Sequence, residues 1–397
     1  MMHILLAHND YSVFSGEEKA VRSISGLLAA NGHTVTRLRR SSVGIGGSAT
    51  KKIGAFFSGI YSTGAKRDIA HLLSRNSIDL VHVQNIYPFL SPSIFGPCRK
   101  NGVPVVMRCP NYRLFCPNGL HFTRGQVCER CLEGSELACL LNNCAGDYFK
   151  SASYAIRHAT ARVSGAIQKG VDVFIVLSEF QKKRFVEGGI PPERLEVMPN
   201  FVTDADRTAA DWETGDTAAF IGRVSAEKGV SCFIEAAGLL PGYDFAAAGI
   251  VTMNGDVIRN APKNIRFEGF LSGEKLESFY RKTRVFVFPG TWFEGFPNAV
   301  ARAMAHGKPV VVSRIGCIPE IVDDGVTGLL FQPGNAGEMA EKIRYLWERP
   351  ELCRKMGEAG REKVKREYSE KAAYSRLMAI YEKAGRMASK KRGRPGR

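Results

Sequence analysis

RVFVFPGTWFEGFPNAVARAMAHGKPVVVS, residues 284–313, is the stretch on which the architecture turns. It opens with an apolar run of strand-forming residues, breaks at Pro289-Gly290, and resumes after Pro297 as an alanine-rich segment of helical period. A second apolar run follows Gly307. Strand, helix and strand within one short stretch is the parallel βαβ unit. The same alternation extends outward in both directions. Upstream lie TAAFIG (217–222), a helix near 232–239, FAAAG (245–249) and IRFEGF (265–270). The first half repeats the grammar with HILLAH (3–8), a helix over 17–30, VTRL (35–38), DLVHV (79–83), VPVVMR (103–108) and VDVFIVLS (171–178). The pattern predicts two doubly wound α/β domains, 1–202 and 203–375, with the polar segment 203–216 as linker. A last amphipathic helix over 369–387 is expected to pack Tyr374, Leu377, Met378 and Tyr381, and SKKRGRPGR (389–397) is predicted to be a disordered basic tail.

Composition narrows the classes. A chain of 397 residues has room for two cores, and its 44% hydrophobic and 24% charged residues are those of a soluble globular protein. No apolar run reaches the roughly 18 residues that span a bilayer. The opening MMHILLAHNDYS reads as a first strand and not as a secretory leader, so a cytoplasmic location is expected, with the inner face of the membrane as its alternative. The net charge is +16, and residues 1–200 hold 24 Lys/Arg against 14 Asp/Glu. Such a field suits polyanions: nucleotide diphosphates, anionic lipid head groups or nucleic acid. The RGRP of the tail resembles a minor-groove hook, but one hook on an enzyme-like body reads as a solvated or membrane-touching tail, and no nucleic-acid partner is expected. KKIGAFFSGIYSTGAKR (51–67) carries Ile53, Phe56, Phe57, Ile60 and Tyr61 between basic ends. Such a helix either lies in an anionic bilayer interface or packs on its own sheet.

In the second half, GRVSAEKGV places Gly222, Arg223 and Lys228 at the carboxyl end of a strand, where open α/β sheets bind ligands. A guanidinium forks two phosphate oxygens, an ammonium adds a compact charge, and glycine lets the backbone approach. Gly295, Phe296, Pro297 and Asn298 lead into a helix whose N-terminal amides favour an anion. Glu294 before them accepts hydroxyls, and Glu320 in RIGCIPEIVDDGVTGLLF adds a wall. Cations, helix start and hydroxyl acceptor together describe a nucleotide-diphosphate-sugar pocket.

These residues resemble the donor domain of glycosyltransferase family 4, retaining enzymes of the GT-B fold. GRVSAEKGV, FEGFPNAVARAMAHGKPVV, GCIPEIVDDGVTGLLF and the upstream VMPNFV occur in the family's order, over about residues 1 to 375. The resemblance implies two Rossmann-like domains facing across a cleft, and sugar transfer from a nucleotide-diphosphate sugar to a lipid-linked, polysaccharide or other glycan acceptor. Arg223 and Lys228 would hold the diphosphate, and Glu294 would touch the donor sugar. No cofactor is required for catalysis. The family's second glutamate, eight positions on, is replaced by Arg302, which donates and cannot accept: Arg302 is expected to read another part of the donor, and the alternatives are a ribose held by another acceptor, a donor that is not an ordinary nucleotide sugar, or a packed Arg302.

In the first half, AHNDYSVFSGEEKAV resembles the family's glycine-rich loop, with Gly16 and Glu17 where strand one hands over to a helix; an ordinary βα turn is the alternative. His82 lies in DLVHVQNIYPF, either toward the acceptor or as a satisfied core imidazole. In VVMRCPNYRLFCPNG the family's sugar-contacting histidine is replaced by Pro110, and Arg108, Asn111, Tyr112 or Arg113 is expected to supply its hydrogen bonds on the acceptor side. Seven of the ten cysteines lie between 98 and 144. In a Cys-rich insert at about 109–146, Cys116, Cys128, Cys131 and Cys144 have zinc-ligand spacing, with Cys139 as a substitute; buried free thiols or a redox pair at Cys128 and Cys131 are the alternatives. A metal there would be structural. Two rival readings of the whole chain stay open: a nucleotide-sugar epimerase of similar shape, and a non-catalytic nucleotide-sugar-binding protein.

Overall fold

The computed structural model describes residues 1–11, 16–43, 49–132, 134–203 and 215–392. The chain divides into two compact units, one of residues 1–121, 129–199 and 373–397, the other of residues 122–128 and 200–372. The expected boundaries at 202/203 and 375/376 stand beside observed divisions at 199/200 and 372/373. Most of the expected linker, residues 204–214, lies outside the described residues.

The first unit is built on six parallel strands: β1 (His3–Asp10), β2 (Thr34–Ser41), β3 (Leu80–Val83), β4 (Val105–Arg108), β7 (Val173–Val176) and β8 (Leu195–Val197). They run in the order β2-β1-β3-β4-β7-β8. Strands β3, β4 and β7 are buried along their whole length, as continuous apolar runs covered on both faces must be. Between β4 and β7 a short antiparallel hairpin, β5 (Phe122–Thr123) and β6 (Gln126–Val127), marks the insert.

The second unit repeats the plan with β9 (Thr217–Ile221), β10 (Asp244–Ala248), β11 (Ile265–Gly269), β12 (Thr283–Phe288), β13 (Val310–Ser313) and β14 (Gly328–Phe331), ordered β11-β10-β9-β12-β13-β14 and all parallel. In each sheet the strand order reverses beside the unit's first strand. The carboxyl ends of β1 and β3, and of β9 and β12, therefore flank the crevices where such sheets take ligands. Two close approaches shape the second crevice. Gly229 has φ +71°, and a Cβ there would meet the Pro289 carbonyl oxygen at 1.7 Å; a Cβ on Gly249 would meet that of Gly222 at 1.8 Å. Glycine is required at both.

The last helix, Glu370–Arg392, returns to the first unit. Leu377 and Tyr381 are buried, Tyr374 Oη lies 2.9 Å from His33 Nε2, and Lys383 and Lys391 pair with Glu196 and Asp172 at 2.6 and 2.7 Å. The helix extends through Ser389–Arg392, so the first four residues of the expected tail are helical; residues 393–397 lie outside the described residues. No described helix is long and apolar enough to cross a membrane.

Candidate active site

At the crevice of the second unit, β9 runs into Gly222 and the exposed Arg223, whose guanidinium reaches back to Glu227 at 2.9 Å. Lys228 ends this loop. Its ammonium pairs with the Glu294 carboxylate and lies 5.1 Å from the centre of the Trp292 ring. The Trp292 indole N–H donates to the same Glu294 oxygen at 3.0 Å. Glu294 is thus held by two donors from two loops, and its backbone carbonyl accepts the Cys317 thiol at 3.3 Å. That thiol, buried and facing Glu294 and Glu320, has its pKa pushed well up, chiefly by burial.

Gly295, Phe296 and Pro297 are buried, and Phe296 packs on Tyr368 with ring centres 5.2 Å apart. They fix the start of the helix Asn298–Ala305, where Pro297 is the N-cap, Asn298 is exposed and no side chain caps the first turn. The positive end of this helix is open to an outside anion beside Lys228 and Arg223. Glu320 is exposed on the turn Ile318–Ile321, and Lys363 Nζ donates to its backbone carbonyl at 3.0 Å.

Arg302 departs from expectation. Its guanidinium pairs with Glu277 on the helix Gly273–Lys282 and lies 5.3 Å from the centre of the Tyr280 ring, while His306 Nε2 sits 3.2 Å from the second Glu277 oxygen. The pair ties the helix Asn298–Ala305 to the helix Gly273–Lys282. Glu277 was missed in the sequence because its partner lies 25 positions away with no local spacing rule to link them.

At the crevice of the first unit, Gly16 opens the helix Gly16–Ala30, and the loop before it, residues 12–15, lies outside the described residues. Tyr11 donates its hydroxyl proton to Glu17 Oε2 at 2.9 Å and accepts from Arg113 Nη1 at 3.1 Å. Burial raises the Glu17 pKa against the pull of Arg113, Tyr11 and Arg108. Arg108, at the end of β4 and 2% exposed, donates to Gln84 Oε1 at 3.2 Å, and burial brings its pKa down to about 10. Asn111 accepts the Arg113 backbone N–H at 3.1 Å, shaping the turn. Arg157, on the helix Tyr148–Ser164, stacks 4.1 and 4.9 Å from the ring centres of Tyr87 and Tyr154. It was not foreseen, since a lone arginine within a helix gives no signal.

Two of the acceptor-side candidates lie in the core, and for His82 this is the second of the two expected alternatives. His82 is buried in β3 with Nδ1 2.7 Å from Tyr381 Oη, and burial lowers its pKa to about 3; it is a core imidazole. Tyr112 is buried among Phe115, His121 and Phe185 in an aromatic cluster under the insert.

Among the described residues, only His8, Asp10 and Glu18 bring three potential metal-ligating atoms within 4.8 Å of one another, and Arg39 already pairs with Asp10 at 2.7 Å. Among the described residues no three insert thiols lie within 4.8 Å of one another. Cys139 bonds through its thiol to Cys144, a contact that with burial and the nearby Cys131 and Cys116 raises its pKa. Burial raises the Cys116 pKa too, while the backbone N–H groups of His121, Gly119 and Leu120 face its sulfur and oppose the rise. Cys116, Cys131 and Cys144 all act on Cys139.

The family described as Glycosyl transferases group 1 matches residues 203–363. A glycosyltransferase of Methanocaldococcus jannaschii is 29% identical over 63% of this chain and 67% of its own length. The alpha-D-kanosaminyltransferase of Streptomyces kanamyceticus is 26% identical over 59% and 64%. Among solved structures, Anabaena HepE in complex with UDP and glucose superposes with a TM-score of 0.66 at 15% identity, covering 96% of this chain and 100% of that one. Sucrose-phosphate synthase of Thermosynechococcus elongatus does so with a TM-score of 0.70 at 16% identity, covering 96% and 98%. The fold is therefore that of the GT-B glycosyltransferases.

Proposed function

We propose that this chain, whose residues 203–363 match the family of group 1 glycosyl transferases, moves a sugar from a nucleotide-diphosphate sugar bound by its second unit to a glycan or lipid-linked acceptor bound by its first. The observation that carries the reading is the convergence of Arg223, the Lys228–Glu294 pair and the uncapped start of the helix Asn298–Ala305 at one sheet crevice. In the reaction, the bond from the anomeric carbon to the diphosphate breaks as the acceptor oxygen bonds to that carbon. Arg223, Lys228 and the helix start stabilise the charge that develops on the departing phosphate. That phosphate takes the acceptor's proton on the same face, so configuration is retained. Glu294 accepts hydroxyls of the transferred sugar once Lys228 turns to the phosphate. A thermal-shift screen of nucleotide sugars, followed by turnover with and without acceptors, tests it: stabilisation by one nucleotide sugar and acceptor-dependent release of nucleotide are expected, and turnover without acceptor would favour an epimerase.

Peripheral contact with an anionic membrane belongs to the same reading. The helix Ala49–Ile60 leaves Ile53 and Phe57 exposed, the helix it packs on leaves Phe149 and Val163 exposed at 89% and 78%, and Lys51, Lys52 and Lys150 flank them. Binding to vesicles containing anionic lipid, weakened in Phe57→Ser with Phe149→Ser, is the test. A structural zinc on Cys116, Cys131, Cys139 and Cys144 completes the proposal, supported by the mutual influence of these thiols and the N–H groups facing Cys116.

A further inference from the structure

Arg108, Arg113 and Arg157 converge at the first unit's crevice, where Glu17 acts on both Arg108 and Arg113 and Tyr11 bridges Glu17 to Arg113. Arg108 and Arg113 both act on Glu17, and Arg113 and Arg157 repel one another. Arg157 is 7% exposed and, among the described residues, has no carboxylate partner and no hydrogen bond; the faces of Tyr87 and Tyr154 meet its guanidinium. Burying a guanidinium without an anion is costly, and a fold that keeps one there gains when an anion arrives. The planar fork of each arginine matches phosphate oxygens, and the tyrosine rings hold Arg157 in place.

The surroundings say how that phosphate is carried. Arg157 is on the helix Tyr148–Ser164, and its Cδ would lie 2.8 Å from a Cβ on Gly59 of the helix Ala49–Ile60. These same two helices expose Ile53, Phe57, Phe149 and Val163. The anion site is thus backed by the unit's apolar surface. We propose that Arg108, Arg113 and Arg157 bind the phosphate or diphosphate head group of a lipid-borne acceptor, whose chain lies along the apolar faces of these two helices. The inference rests on the glycosyl-transfer reading and names its acceptor class.

The full chain, saturated with UDP so that the donor site is occupied, is titrated by calorimetry with farnesyl diphosphate, inorganic pyrophosphate and farnesol. Farnesyl diphosphate is expected to bind at least about tenfold more tightly than pyrophosphate, and farnesol more weakly than both. Arg157→Gln and Arg113→Gln should each weaken farnesyl diphosphate about tenfold or more, the range of a lost charge-assisted phosphate bond. Arg157→Lys, which keeps the charge, should lose less. UDP binding, measured in the same preparations, should be unchanged in all three. Equal binding of farnesol or of pyrophosphate, or unaltered affinity in both Gln variants, overturns the proposal. Failure of UDP to bind the wild-type protein instead overturns the donor reading, which separates the two.

Discussion

Arg302 and Glu277 are joined by an ion pair between the helices Asn298–Ala305 and Gly273–Lys282, with His306 at the second carboxylate oxygen. The arginine that replaces a family carboxylate is therefore engaged by its neighbour and ties the helix whose start forms the anion site. Arg302→Glu sets two carboxylates against each other, and a stability loss of about 3 kcal/mol is expected, with nucleotide preference unchanged. Glu277→Arg in that background should restore much of the loss. Urea unfolding of the three variants checks this; a switch of nucleotide preference at full stability would return Arg302 to the donor site.

Arg223→Ala and Lys228→Ala should each weaken nucleoside-diphosphate binding about tenfold to a hundredfold, since a charge-assisted phosphate bond contributes roughly 1.5–3 kcal/mol. Lys228→Ala also leaves Glu294 with the Trp292 indole as its remaining side-chain donor among the described residues, so its effect on transfer should be the larger. Calorimetry with UDP and an initial-rate assay separate the two effects, and wild-type affinity in both variants would remove the site.

Glu294→Gln preserves volume and exchanges an acceptor oxygen for a donor. Transfer should fall by about tenfold or more while the bare nucleoside diphosphate still binds. Equal losses of both would place Glu294 on the phosphate.

The neutral, buried His82 makes stability depend on pH. Its folded pKa of about 3 lies below the ordinary 6.5, so between these values the unfolded chain binds the extra proton. Its contribution is present above about pH 6.5 and is lost as pH falls toward 3, with a slope of up to about 1.4 kcal/mol per unit. His82→Gln removes the titration, and its stability should fall less steeply from pH 7 to 4 in urea unfolding. Parallel curves would show that His82 is not buried neutral.

Purified chain should hold about one zinc, and Cys139→Ser should release it and lower stability more than Cys128→Ser does. Elemental analysis and thermal melts decide; fully stable metal-free protein would leave these residues as plain buried thiols.

The amino-acid sequence by itself determined the two doubly wound units, because buried parallel strands must be continuous apolar runs and their crossovers must carry helical period. It also located Gly222, Arg223, Lys228, Glu294 and the helix start at Asn298, since residues just past a strand end are placed by that strand. Only the tertiary structure decided which side chains meet across sequence distance. Position Arg302 reads as pocket-facing from its spacing to Glu294, yet Glu277, on another helix, claims it. His82 was open between cleft and core until Tyr381, 299 residues away, supplied its partner. Arg157 joins Arg108 and Arg113 only once the helix Tyr148–Ser164 packs against the helix Ala49–Ile60. Strand and helix periods are local consequences of backbone geometry, whereas charge pairing falls off within a few ångströms and follows whatever the fold brings within reach.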